Sequence, residues 1–200
     1  MIDRTKQCMT GPFMEAGARR LLPLIDKYQA ELGAAILELG PNLHPLVTPE
    51  RYGGRIVYLE LSEPCIAALR ERFRDAPSVA IVPFDLEDAW KDGENRLRLA
   101  LAELAPCFGA IIVSQVLNYI DHREVLRACA EIVAPGALVF VNNVMNHGGD
   151  WMFHARRPQS WEELVQDAAA LGFHVVEEVS EPAGVRDPTK VRRLGVLRAR

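Results

Sequence analysis

The chain has 200 residues, 49% hydrophobic and 25% charged, which suits one soluble globular domain with a sizeable core. Lys and Arg number 23 against 27 Asp and Glu, a formal net charge of −4, so a dedicated nucleic-acid binder with a broad basic face is not expected. The basic stretch at 190–200 reads as solvated charge.

The first dozen residues read as a loose arm ending at Gly11-Pro12. From Phe13 to about Leu32 the pattern is helical, with Met14, Ala18, Leu21, Leu22 and Ile25 on one face. Pro23 predicts a kink or the first turn of a second helix, and Gly33 closes the segment. We therefore expect 1–33 as a helical arm or lid and 34–200 as one compact unit. Ala34–Gly40 and Arg55–Glu60 read as buried strands, and Ser62 caps a helix carrying Ile66, Leu69 and Phe73. Between those strands, Pro45 to Gly54 holds two prolines and two glycines, which predicts a loop or one short turn rather than a long helix.

A third strand, Val79–Phe84, is followed by a helix at Asn95–Ala105 and a buried strand at Phe108–Ser114. Asp121-His-Arg-Glu124 has capping-box form and opens a helix that Ala134-Pro-Gly136 stops. Ala137–Val141 is a fifth strand, and a polar loop runs from Asn142 to Gln159. Ser160-Trp-Glu-Glu163 opens the last helix, and His174–Val179 and Val191–Leu197 are the last strands. Strands alternating with helices imply a doubly wound α/β fold: a mostly parallel, seven-stranded sheet with helices on both faces.

No apolar run reaches the ~18 residues of a membrane span, and the N-terminus lacks a signal-peptide core. Cys8, Cys65, Cys107 and Cys129 form no CxxC pair, which gives zinc or redox chemistry no support. Read as free thiols, they predict a cytoplasmic protein.

In such a sheet, ligands bind beyond the carboxyl ends of the strands. Those ends hold Glu38-Leu-Gly40, Glu60-Leu-Ser62, Asp85-Leu-Glu-Asp88 and Ser114-Gln-Val-Leu-Asn-Tyr119. Together with Ile132-Val-Ala-Pro-Gly-Ala-Leu-Val139 and Glu163–Phe173, this ordered series resembles the class I S-adenosylmethionine-dependent methyltransferases, from about residue 34 to the end. The resemblance implies a Rossmann-like methyltransferase fold and S-adenosylmethionine as cofactor. It implies that Glu60 accepts from the ribose hydroxyls and that Glu38 orients the amino group of the methionine part. Gly40, Pro41 and Asn42 would form the close turn. Asp85 would face the adenine amino group, with Leu61 and Leu86 against the ring, and Ser114 and Gln115 would border the methionine end.

The turn departs from the family pattern. Asn42 and His44 stand where the second and third glycines would be, and Gly109 stands where an acid commonly starts strand four. Asn42 can adopt a left-handed conformation, so the turn can survive. A dinucleotide-binding domain would need Gly-x-Gly-x-x-Gly opening a helix, and both are missing.

Methyl transfer needs aligned reactants rather than a protein nucleophile. Residues near the methyl group would come from Asn118, Tyr119, Asn142, Asn143 and the loop holding His147, Asp150, Trp151 and His154. Tyr119 and His147 are the candidate catalytic residues, His147 as a base. No metal is expected, because the loop histidines match no ligand spacing. A small-molecule acceptor is expected, and covering it calls for mobile termini or a homodimer. The alternatives are a non-catalytic binding protein of the same fold, or an enzyme using the cofactor for other chemistry.

Overall fold

The computed structural model describes residues 12–145, 154–183 and 190–200. Helix α1 (Pro12–Arg19) and helix α2 (Leu22–Lys27) precede strand β1 (Ala35–Leu39). Pro23 lies in the first turn of α2, where its missing N–H breaks no intrahelical bond. Next come β2 (Arg55–Glu60), α3 (Glu63–Arg72), β3 (Val79–Pro83), and a small hairpin of β4 (Trp90–Lys91) and β5 (Glu94–Asn95). The chain continues through α4 (Arg96–Leu101), β6 (Phe108–Ser114), α5 (His122–Ala130), β7 (Val133–Met145), α6 (Trp161–Ala170), β8 (Phe173–Pro182) and β9 (Val191–Ala199).

The main sheet has seven strands in the order β3-β2-β1-β6-β7-β9-β8. Five strands run parallel, and β9 pairs antiparallel with both β7 and β8. This is the expected doubly wound α/β sheet. One face packs Leu24 and Ile25 of α2 and Leu69 of α3 against Ile36, Tyr58, Ile112 and Phe140. The opposite face packs Leu97, Leu126, Leu164 and their neighbours from α4, α5 and α6 against Leu37, Ile111 and Val139. The strands of β1 and β2 read as continuous apolar runs because both faces are covered.

Two boundaries and one cap differ from the sequence reading. Helix α4 is shorter than expected; Asn95 caps it by accepting from the Arg98 N–H at 2.8 Å. Strand β7 runs to Met145, so Asn142 and Asn143 are buried strand residues rather than loop residues. Each finds a ladder partner on β9, Leu194 and Arg193, and that pairing extends the strand. Ser62 holds the N-cap position of α3, but its side chain makes no capping bond. Between β1 and β2 there is no helix, as the two prolines and two glycines predict.

The residue that displaces the usual acid at the start of β6 has a packing reason. A Cβ on Gly109 would lie 2.6 Å from the Leu32 carbonyl oxygen and 2.8 Å from the Gly33 Cα. Backbone meets backbone there, and neither side can rotate away. Gly109→Ala should therefore destabilise the fold by roughly 1–3 kcal/mol, the range for overpacking a close contact. Urea unfolding checks this: the midpoint should fall with the slope unchanged.

Candidate functional site

Two buried carboxylates organise the carboxyl ends of β1 and β2. Glu38 is 2% exposed, and its oxygens accept from the Leu46 N–H at 2.9 and 3.1 Å and from the Val47 N–H at 3.2 Å. The Val47 carbonyl in turn accepts from the Tyr58 hydroxyl. Glu38 thus pins the loop after β1 instead of presenting an open carboxylate. Burial pushes its carboxyl up to about 7, against the opposing pull of those two N–H groups.

Glu60 is also buried, and it reaches across to the same loop. Its Oε2 accepts from the Asn42 N–H at 2.9 Å, and its Oε1 accepts from the Leu61 and Ser62 N–H groups, each at 2.9 Å. A carboxylate offers about four acceptor positions, so roughly one is left. The turn between the two acids needs left-handed backbone at Gly40 (φ 61°) and Asn42 (φ 56°). Asn42 supplies without glycine what the family's second glycine would supply. A Cβ on Gly40 would come within 2.9 Å of Val116 Cγ2, so Val116 stands over this turn.

Asp85 ends β3's loop as an N-cap, accepting from the Glu87 N–H at 3.0 Å, with Leu86 buried beside it and Leu61 half-buried. Pro41 is buried. Gln115 follows β6 with φ 60°, a strained value for a non-glycine residue, and its N–H donates to the Asn142 carbonyl at 2.6 Å. The Asn142 side chain donates to the Ser114 hydroxyl at 3.0 Å and to the Gly17 carbonyl of α1 at 2.9 Å. Helix α1 also brings Glu15 within 3.7 Å of His44, so it crosses the strand ends from the β1 loop to β7.

On the other face, Asn143 Nδ2 donates to Asn118 Oδ1 at 3.0 Å, and Asn118 Nδ2 donates to the Val144 carbonyl at 3.1 Å. Asn143 Oδ1 is buried and has no partner among the described residues, which costs about 1–3 kcal/mol. Tyr119 is half-buried, and its N–H closes a turn to the Val116 carbonyl. His154 returns to this side, its N–H donating to the Asn118 carbonyl at 2.9 Å. His147, Asp150 and Trp151 lie outside the described residues.

The sequence reading missed two buried side chains, an arginine and a histidine. Arg192, on β9, donates to Asn142 Oδ1 at 2.8 Å. His122, inside the first turn of α5, bonds the Arg156 carbonyl through Nδ1 (2.7 Å) and Asp167 through Nε2 (2.8 Å). Burial pushes the Asp167 carboxyl up, but hydrogen bonds from Arg123 and His122 outweigh it and hold the group below the usual range. His122, Glu163 and Asp167 lie close enough to share a cation, but the Arg123 guanidinium already bonds both acids, at 2.9 and 2.8 Å. The capping-box pattern of Asp121 flagged this turn, but nothing local announced a histidine tied to residues 34 and 45 positions away.

Among the described cysteines, Cys107 and Cys129 are free. Burial pushes the Cys129 thiol up to about 12, and Cys107 is an exposed free thiol. Cys65 is disulfide-bonded, which corrects the expectation of four free thiols. Its Sγ, 3.2 Å from Asn42 Oδ1, therefore has no proton to donate.

The buried Glu38 has a pH signature. Its folded-state value of about 7 exceeds the ordinary 4.5, so the native state holds the proton more tightly than the unfolded chain. Its contribution is complete below about 4.5 and is lost as pH rises to about 7, on the order of 3 kcal/mol over that interval. Unfolding curves across this interval should show a decline that Glu38→Gln flattens; parallel curves would mean the carboxylate stays ionised.

No family model matches the chain, and no curated protein matches it in sequence. Solved structures do match in fold. An N-methyltransferase, NodS from Bradyrhizobium japonicum WM9 in complex with S-adenosylhomocysteine, superposes with a TM-score of 0.66 at 16% identity, covering 99% of this chain and 93% of that one. The 1,6-didemethyltoxoflavin-N1-methyltransferase of Burkholderia thailandensis gives 0.66 at 18% identity, over 92% and 79%. The [4+2]-cyclase SpnF gives 0.69 at 14% identity, over 90% and 80%. At these identities the likeness establishes the fold: a Rossmann-like methyltransferase sheet that carries N-methylation in two of these proteins and a cyclisation in the third.

Proposed function

We propose that the chain binds S-adenosylmethionine across the ends of β2, β1 and β6 and transfers its methyl group to a small-molecule acceptor. Glu60 carries the reading. It is a buried carboxylate at the end of β2, beside a left-handed turn, with about one acceptor position unfilled. A ribose hydroxyl suits that position. A second hydroxyl would have to replace the Asn42 N–H, which would open the turn on binding. Gly40, Pro41 and Asn42 form the rim, Asp85, Leu61 and Leu86 suit the adenine, and Ser114 and Gln115 suit the methionine end. Glu38 acts one layer below, holding the loop rather than touching the ligand, because at 2% exposure it lies beneath Leu46 and Val47, whose N–H groups it accepts.

The cofactor supplies an activated methyl group on sulfur. The chain's own work is to bind, align and exclude water, which alone can remove much of the barrier. Helix α1 serves as the lid, and the remainder from residue 34 as the body. Tyr119 and His147 are the groups proposed to handle a proton on the acceptor. Asn143 Oδ1, buried and unpartnered, suits an N–H or O–H of that acceptor. A homodimer completes the proposal, while the Cys65 disulfide removes the free-thiol argument for a cytoplasmic setting.

A second reading has its own observation. Val116 stands over Gly40, and one fold relative is a cyclase, so the same site suits an enzyme of other chemistry or a binding protein. Calorimetric titration with S-adenosylhomocysteine and a labelled-methyl transfer screen separate these. Binding with transfer supports the first reading, and binding without transfer to any acceptor supports the second. No binding at millimolar concentration overturns the cofactor site. Glu60→Gln keeps one carbonyl oxygen for the loop, so it should weaken binding about tenfold or more without unfolding the chain.

A further inference from the structure

Arg192 is the one buried residue among the described lysines and arginines, at 2% exposure. A guanidinium has five N–H donors, and a buried one without partners is costly. Among the described residues its guanidinium makes a single hydrogen bond, from Nη1 to Asn142 Oδ1. The nearest acid is Glu181, 3.8 Å from Nε, and that carboxylate also faces Arg20 at 3.8 Å. Two cations thus share one distant carboxylate. Burial pushes the Arg192 guanidinium below its ordinary value.

Its place in the sheet is informative. Glu60, Gly40 and Ser114 lie at the ends of adjacent strands β2, β1 and β6, which at ~4.8 Å per strand spans about 10 Å. Asn142 on β7 continues the row beside Ser114, and Arg192 on β9 lies two residues further out, opposite Val144. The guanidinium therefore lies on the acceptor side of the proposed cofactor site, joined to Ser114 through Asn142. Gly17 of helix α1 comes close over it: a Cβ there would fall 2.7 Å from Nη2 and 3.1 Å from Gln115 Oε1.

We infer that Arg192 receives a carboxylate of the acceptor, so that the substrate is a small organic or amino acid. This rests on the proposed cofactor site. The planar fork matches a carboxylate with two parallel hydrogen bonds, which neither lysine nor a neutral amide reproduces. The ligand would replace the remote Glu181 as counter-ion, and Asn142 would hold the guanidinium in register.

The test uses the full chain. Thermal shifts are measured with S-adenosylhomocysteine present, over a panel of small amino and carboxylic acids and their uncharged amides. Wild type should be stabilised by at least one acid and not by its amide. Arg192→Met should abolish that difference, Arg192→Lys should weaken it, and Glu181→Gln should strengthen it. A merely structural Arg192 would change the melting temperature in every case but not the acid-over-amide preference. No acid preferred in wild type, or a preference that survives in Arg192→Met, overturns the inference. Calorimetry with S-adenosylhomocysteine and 5′-methylthioadenosine, which lacks the amino-acid end, supplies the second arm. If Arg192→Met weakens the first about tenfold and leaves the second unchanged, the guanidinium serves the cofactor and the acceptor assignment is overturned. If wild type binds neither nucleoside yet prefers acids through Arg192, the carboxylate site stands and the cofactor reading falls.

Discussion

The hydrogen bonds from five backbone N–H groups to two buried carboxylates hold the site together. Glu38 takes Leu46 and Val47, and Glu60 takes Asn42, Leu61 and Ser62. In a doubly wound fold the turn after the first strand is usually held by the helix that follows it. This chain has no helix there, because two prolines and two glycines between 45 and 54 forbid one. Without those carboxylates the loop's N–H groups would be orphans at the edge of the core, at about 1–3 kcal/mol each. The acids replace the helix, and the loop is further pinned by Tyr58 to Val47 and by Gln29 to the Arg51 carbonyl.

That substitution changes what each acid can do. A carboxylate that satisfies backbone donors has fewer positions for a ligand. Each acid takes three such contacts, but Glu38, at 2% exposure, lies beneath the loop it holds, whereas Glu60, at 8%, lies beside the left-handed turn. The two acids look alike in sequence, each near the end of a buried strand, yet one lies under its loop and the other beside the left-handed turn. The dividing fact is reach: Leu46 and Val47 fold back over β1, while the Asn42 N–H meets β2.

The far side of the row follows a different logic. Asn142, Ser114, the Gly17 carbonyl and Arg192 form a buried polar seam between the sheet and α1. Every Asn142 side-chain group is used, which fixes the arm's position over the strand ends. Arg192 is underused, and an underused buried charge is the kind of group a ligand completes. On the opposite face, His122 ties α5 to α6 and to residue 156, closing the helical layer behind the strand ends.

By itself the sequence determined the seven strands, their alternation with helices, and the absence of a helix after β1, because strand periodicity, capping residues and proline are local properties. The ordered acids at strand ends pointed to the candidate site, and Asn42's tolerance of left-handed backbone was readable from its side chain. The reach of β7 to Met145 was not, because its last residues are polar and become strand only by pairing with β9, about 50 residues later. Nor could local pattern divide Glu38 from Glu60, explain Gly109, or single out Arg192 within a basic stretch that reads as solvated. Those facts depend on which backbone amides, glycines and carboxylates the folded chain brings within 3–4 Å of one another, and only tertiary structure decides that.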